Sequence, residues 1–326
     1  MRIHIQSPAD DPLFRFTRDQ WDEALARASD IFEVFDVTIG SSEVELAAAM
    51  REAEALITDA RTLRHYFPGP APRVKLLFAT AAGLDGLAPF DWLPAGAVLL
   101  NNRGAHADKA GEYAIMAVLM LSSRTVEFAT DQREQRWVKR YGSVLRNRRA
   151  TVIGLGGLGG AAAMQCRRFG MHVTGVRTRL GPHEHCDEVI TPAGLDRLLP
   201  DTEFLILACP LTPATRGLID RRRIGLLPAA AGIVNIGRGA LIDQDALCDA
   251  LDGGRLRGAV LDVFEPEPVP AGHRLWTTPN LVMTPHVSAD DPVTYNADSL
   301  DLFFDNLRAY RVGLPLPNRF DTLRGY

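Results

Sequence analysis

The sequence has 326 residues, enough for two domains at roughly 100–200 residues each, which excludes a single small disulfide-stapled module. Hydrophobic residues make up 46% and charged residues 23%, the balance of a globular protein, so disordered, collagenous and low-complexity chains are excluded as well. Thirty-six basic against forty acidic side chains leave a formal charge of −4, too little positive field to hold nucleic acid or an anionic membrane.

The N-terminus, MRIHIQSPADDP, reaches acids and prolines before any apolar run forms, unlike a secretory signal. The longest apolar stretch, residues 114–121, falls far below the roughly 18 residues of a membrane helix. A soluble, cytoplasmic protein is expected, with Cys166, Cys186, Cys209 and Cys248 reduced because no CxxC pair occurs and thiols there rarely pair. Short apolar runs alternate with helical patterns: MRIHIQ, a helix near 18–28, EVFDVTI, a helix over 43–53, then ALIT, VKLLFAT and AVLL. Such alternation predicts a parallel sheet with helices on its faces. A long helix is predicted over 108–130, and its apolar first half, AIMAVLMLSS, calls for burial against a domain or subunit boundary.

The basic stretch LRNRR, 145–149, precedes a second series: ATVIG, helix, HVTGV, FLILAC, GIVNIG, helix, GAVLDV and LVMTPH. Each strand is apolar enough to be covered on both faces. Residues 290–311 read as an amphipathic helix that returns to pack on the first domain. The fold class expected is α/β, with two doubly wound parallel-sheet domains.

In ATVIGLGGLGGAAAMQCRRFG, Gly154, Gly156 and Gly159 form G-x-G-x-x-G between an apolar strand and a helix. Gly154 permits the tight turn, Gly156 lets the backbone approach a pyrophosphate, and Gly159 lets helix and strand pack closely, with Leu158 between them. The helix N-terminus then offers N–H groups and the positive dipole end to phosphate. NAD would be preferred if the next strand ended in an acid that binds the ribose hydroxyls. The sequence places Arg177, Thr178 and Arg179 there instead, and arginine offers a charged fork to a 2′-phosphate. NADP is therefore the expected preference, with NAD also usable.

Three polar residues follow later strands: Arg238 after the run ending in Ile236 and Gly237, Glu267 in LDVFEPEP, and His286 in TPHVS. Ligands of open α/β sheets sit outside the carboxyl ends of the strands, so these three are candidates for one site. The chain resembles the D-isomer-specific 2-hydroxyacid dehydrogenases over essentially its whole length, through AAGLDGL, NNRGAHADKAGEYAI, VIGLGGLG, CPLTPATRGLI, VNIGRGALID, LDVFEPEP and TPHVS. The resemblance implies a Rossmann cofactor domain over 102–289 inserted into a flavodoxin-like substrate domain made of 1–101 and 290–326. It also implies a homodimer built around the 108–130 helix.

By resemblance, Arg238 is the substrate arginine, Glu267 the acid preceding proline, and His286 the general acid/base. The chemistry agrees. A guanidinium can bind the carboxylate of a 2-oxo acid while polarising its ketone. An imidazole, titrating near neutrality, can move the proton, and a carboxylate on its other nitrogen would hold the ring. The resemblance further assigns Ala82 and Gly83 to a second substrate-carboxylate site on the outer domain, Asp262 to the nicotinamide amide, and Cys209 and Pro210 to a turn bordering the cofactor. It puts Ser288 against substrate or amide and Trp137 near the active-site mouth.

The small cluster His183, His185 and Cys186 lacks a second ligand pair, so no metal site is expected. Arginines 221–223 read as a solvated face. Neither GxSxG nor HExxH occurs, which leaves hydrolase chemistry without a basis. The expected activity is hydride transfer between a nicotinamide cofactor and a small 2-oxo or D-2-hydroxy acid of the glyoxylate/hydroxypyruvate type. Two alternatives are a cofactor-sensing protein resembling the C-terminal-binding corepressors and a phosphoglycerate dehydrogenase-like enzyme. The second is disfavoured because the sequence stops soon after the amphipathic helix, without room for the regulatory domain many of those enzymes carry.

Overall fold

The computed structural model describes residues 1–8, 14–31 and 33–325. The acids and proline of the N-terminal ADDP stretch lie outside the described residues. The chain divides into two compact units, Met1–His106 with Asp291–Tyr326, and Ala107–Asp290.

In the first unit the elements run β1 (Arg2–Gln6), α1 (Arg18–Arg27), β2 (Asp36–Gly40), α2 (Glu43–Ala49), β3 (Ala55–Thr58), α3 (Ala60–Tyr66), β4 (Leu76–Ala79) and β5 (Val98–Asn101). The five strands are parallel in the order β2-β1-β3-β4-β5, the flavodoxin-like arrangement. Each helix begins at a side-chain cap that occupies amides the helix cannot pair itself. Thr17 and Gln20, and Ser42 and Glu45, form reciprocal capping boxes, and Asp59 accepts from the amides of Arg61 and Thr62. Ile3, Ile5, Phe78 and Trp21 are buried together with Phe303 and Phe304 of the C-terminal helix, and the Trp21 and Phe304 rings lie 5.0 Å apart.

The second unit holds α4 (Ala107–Ser122), α5 (Thr125–Arg133), β6 (Arg149–Ile153), α6 (Gly157–Arg168), β7 (His172–Val176), β8 (Glu188–Ile190), α7 (Leu195–Leu198), β9 (Phe204–Leu207), α8 (Arg221–Ile224), β10 (Gly232–Asn235), α9 (Gln244–Asp252), β11 (Gly258–Leu261) and β12 (Leu281–Met283). Its sheet is parallel throughout, in the order β12-β11-β10-β9-β6-β7-β8. That is the Rossmann order with one strand added, and its switch point, where ligands bind, lies between β6 and β9. The α4 helix packs on α6 at Gly111, where a Cβ would come within 3.2 Å of the Ala161 Cβ. The last helix, α10 (Tyr295–Arg311), belongs to the first unit.

Three predicted helices differ from those observed, and the helix expected over 43–53 ends at Ala49. The helix expected over 108–130 is two helices, broken at Arg124, whose φ of 61° is left-handed. The cause is polar. Ser122 Oγ donates to the Ser143 carbonyl at 2.7 Å and Arg124 Nε to the Tyr141 carbonyl at 2.8 Å, so the returning segment draws the chain out of the helical path. The helix expected from 290 begins at Tyr295, because Pro292 disfavours helical backbone at the residue before it. The short β8, α3, α7 and α8 carry too little periodicity to be read from sequence.

Candidate active site

The turn after β6 is shaped by its glycines. Gly154 has φ of +91°, and a Cβ there would approach the Cys209 Cα to 2.6 Å, so the loops after β6 and β9 meet at the switch point only because no side chain intervenes. A Cβ on Gly159 would overlap the Gly154 carbonyl oxygen. At Gly156, the N-cap of α6, no side chain among the described residues caps the helix, and a Cβ would meet none of their atoms within 4 Å. Uncapped helix amides facing open space over a Gly-lined turn fit a dinucleotide pyrophosphate. Leu158 is half-buried against the core under this turn.

Arg177 follows β7, its amide bonded to the Ile190 carbonyl at 3.0 Å. Its Nη2 donates to the carbonyls of Gly181 at 2.9 Å and Pro182 at 3.2 Å, tying down the loop that follows. Its Nε is buried and, among the described residues, has no hydrogen-bond partner. Thr178 and Arg179 are exposed beside it. Cys209 is buried, which pushes its thiol up to about 12, and Pro210 is exposed.

The neighbouring strands β10, β11 and β12 deliver Arg238, Glu267 and His286 to one edge of the sheet. Ile236 and Gly237 are buried. Asn235 Nδ2 donates to the Arg238 carbonyl at 2.9 Å, and Arg238 Nη1 donates to the Gly237 carbonyl at 2.8 Å. Gly239 is pressed so closely on the backbone of Phe264 that a Cβ would overlap it, which joins the Arg238 loop to the loop of Glu267. Glu267 Oε1 accepts the Phe264 amide at 2.7 Å, and its Oε2 lies 2.7 Å from His286 Nδ1. The imidazole is 49% exposed and the carboxylate 35% exposed, so the pair is held yet reachable.

His286 has a left-handed φ of 57°, a conformation that costs energy for a non-glycine residue and persists where its surroundings enforce it. Asp262 enforces it. This fully buried carboxylate accepts from Val287 N at 3.0 Å and Ser288 N at 2.9 Å, and its backbone carbonyl accepts from His286 N at 2.8 Å. The Thr284 hydroxyl also donates to it, and Tyr113 OH lies 2.5 Å from Thr284 Oγ1. Burial pushes the Tyr113 phenol up to about 12, so it remains a donor. The sequence reading missed Tyr113 and Thr284: they lie 171 residues apart, and no local spacing joins them.

Ser288 is buried with its loop. Ala82 and Gly83 lie in the turn after β4, where the Ala82 carbonyl accepts from Asn101 Nδ2 at 2.8 Å. Trp137 is 94% exposed, on the segment after α5. Among the described residues no group of three or more His, Cys, Asp or Glu is placed to hold a metal ion, and no helix is long and apolar enough to cross a membrane.

Residues 115–288 match the family described as D-isomer specific 2-hydroxyacid dehydrogenase, NAD binding domain. A D-isomer specific 2-hydroxyacid dehydrogenase from Xanthobacter autotrophicus Py2, solved in complex with NADPH and MES, is similar with a TM-score of 0.83 and 28% identity, over 99% of both chains. The NADPH-dependent glyoxylate/hydroxypyruvate reductase of Sinorhizobium meliloti, solved with NADP and sulfate, has a TM-score of 0.77 and 25% identity, over 100% of this chain and 99% of that one. Glyoxylate/hydroxypyruvate reductase B of Yersinia pestis is 28% identical over 270 residues, 80% of this chain and 82% of the relative. The chain spans about half the length, 48%, of a Mycobacterium tuberculosis D-3-phosphoglycerate dehydrogenase that is 32% identical over 254 residues. The protein belongs to the D-isomer-specific 2-hydroxyacid dehydrogenase family, the NAD(P)-dependent oxidoreductases of 2-hydroxyacids.

Proposed function

We propose that the protein is an NADPH-dependent reductase of small 2-oxo acids of the glyoxylate or hydroxypyruvate type, acting through Arg238, Glu267 and His286. The observation that carries this reading is the 2.7 Å contact between His286 Nδ1 and Glu267 Oε2. It leaves Nε2 of a half-exposed ring to face substrate. The NADPH-bound relatives and the absence of an acid after β7 support the choice of cofactor.

Gly154, Gly156, Leu158 and Gly159 would hold the pyrophosphate, and Arg177, Thr178 and Arg179 the adenosine end. Cys209, Pro210, Ile236, Gly237, Asp262 and Ser288 would border the nicotinamide end. When bound, the reduced nicotinamide supplies a hydride to the carbonyl carbon of the 2-oxo acid. Arg238 binds the substrate carboxylate and offers N–H donors to the ketone oxygen, where negative charge builds as the carbonyl is reduced. One such donor is worth about 3 kcal/mol in the transition state. His286 Nε2 then gives its proton to that oxygen, and takes it back when the alcohol is oxidised, a contribution of about 10²–10⁴ in rate. Glu267, fixed by the Phe264 amide, keeps the Nδ1 hydrogen engaged and so presents Nε2 to the substrate.

The protein is further proposed to pair with a second copy through α4, whose Met116 is 43% exposed beside Ile115 and Leu119. Light scattering of the purified protein tests this: a monomeric mass at micromolar concentration refutes it. The catalytic reading is tested with glyoxylate, hydroxypyruvate, pyruvate, phenylpyruvate and larger 2-oxo acids, each followed with NADPH and NADH. It expects the smallest acids and NADPH to give the highest kcat/KM. An equal or higher kcat/KM with NADH refutes the cofactor preference, and no consumption with any acid refutes the activity.

A further inference from the structure

His183 lies in the loop between β7 and β8, and its two ring nitrogens are used differently. Nδ1 accepts the backbone N–H of His185 at 3.3 Å, and Cys186 Sγ is 3.8 Å from the same atom. Burial pushes the Cys186 thiol up to about 11, so the sulfur keeps its hydrogen and is a second donor to Nδ1. A ring nitrogen that accepts carries no hydrogen, so the neutral imidazole has its proton on Nε2. That Nε2 is directed at α6, where a Cβ built on Gly160 would lie 3.5 Å from it. Gly160 follows the third glycine of the phosphate turn in the opening turn of α6. A fixed N–H donor therefore stands beside the helix that would carry the pyrophosphate, on the loop that opens with Arg177.

We propose that His183, through Nε2–H, is a ligand of the 2′-phosphate that distinguishes NADP from NAD. This rests on the NADPH reading above. The charged and titratable groups facing the ring are Arg177 at the end of β7 and Glu184, His185 and Cys186 in its own loop, while α6 presents Gly160. His185 Nε2 is itself matched with Glu184 Oε1 at 3.3 Å. Burial first, then His185 and Arg177, lower the His183 pKa from its ordinary value. Protonation would also oblige Nδ1 to give up the His185 amide. The imidazole thus acts as a neutral, oriented donor, and its contribution persists at pH 8.

The test is equilibrium binding of NADP+ and NAD+, by calorimetry at pH 8, to the wild type, His183→Ala and His183→Gln. A hydrogen bond to a charged group predicts that His183→Ala weakens NADP+ by about tenfold and leaves NAD+ within about twofold. His183→Gln, which retains an amide N–H, should recover part of the loss. Equal weakening of both dinucleotides, or an unchanged ratio of the two dissociation constants in both variants, overturns the assignment. A wild type that prefers NADP+ alongside variants that keep that preference sinks His183 alone. A wild type that prefers NAD+ sinks the cofactor reading, and His183 stands even then if its removal weakens NADP+ selectively.

Discussion

Thr284 Oγ1 lies 2.5 Å from Asp262 Oδ1 and 2.5 Å from Tyr113 OH. The single hydroxyl hydrogen of Thr284 goes to the carboxylate, so Tyr113 is the donor to Thr284. The order Tyr113, Thr284, Asp262 is a one-way relay from α4 to the loop of His286. It satisfies a buried carboxylate that would otherwise be costly, and it holds the imidazole in a left-handed backbone conformation.

Asp262→Asn replaces an acceptor by a donor facing either Thr284 and the Val287 amide, which share Oδ1, or the Ser288 amide on Oδ2. Misplacement of the His286 loop by about 1 Å predicts a fall in kcat of about 10². Tyr113→Phe removes only the outer donor. It should cost about 1 kcal/mol of unfolding free energy and lower kcat a few-fold with the substrate KM unchanged. Steady-state kinetics and urea titration separate the two, and a Tyr113→Phe variant that loses stability with kcat intact contradicts the relay.

Glu267→Gln sets an amide against His286 Nδ1 while still offering an oxygen to the Phe264 amide. The ring then loses its carboxylate acceptor, and kcat should fall by about 10²–10⁴ with NADPH binding unaltered. Fluorescence titration with NADPH provides the binding control.

Gly156 and Gly159 separate cofactor binding from folding. Gly156 has φ of −79° and open space where a Cβ would go, so Gly156→Ala should keep stability within about 0.5 kcal/mol while weakening NADPH at least about tenfold. Gly159→Ala drives a Cβ into the Gly154 carbonyl and should lose both stability and binding. Thermal melts with and without NADPH distinguish the two variants.

The thiols set an alkaline limit. Burial pushes Cys166 and Cys209 up to about 12 and Cys186 up to about 11, above the ordinary value of about 8.5 that an unfolded thiol has. The folded state binds these protons more tightly, so their stabilisation is complete below about pH 8.5 and is lost as pH rises towards 11–12. The melting temperature should fall progressively above pH 9. At pH 8, iodoacetamide should label the folded protein slowly and the urea-unfolded protein at all four cysteines. Fast labelling of Cys166 or Cys209 in the folded protein contradicts their burial.

Much of the fold was legible because its signals are local. The apolar runs from MRIHIQ to LVMTPH became strands, and G-x-G-x-x-G fell between β6 and α6, since strand burial and glycine geometry are written in adjacent residues. His286 and Glu267 were legible as candidates, and the structure brings them into contact. Features that depend on distant partners were not legible. The break at Arg124 depends on carbonyls at Tyr141 and Ser143, and the reach of Tyr113 to Thr284 needs the fold to exist first. The sequence offers Asp262 as a cofactor contact, and its buried carboxylate also engages the His286 loop, a relationship invisible in LDVF.

The most direct measurement is the oxidation of NADPH with glyoxylate and hydroxypyruvate by the wild type and His286→Asn, with NADPH affinity determined for both. The wild type should turn over, His286→Asn should lose about 10²–10⁴ in rate, and both should bind NADPH with equal affinity. Turnover by His286→Asn at close to the wild-type rate would contradict the role of His286 in proton transfer.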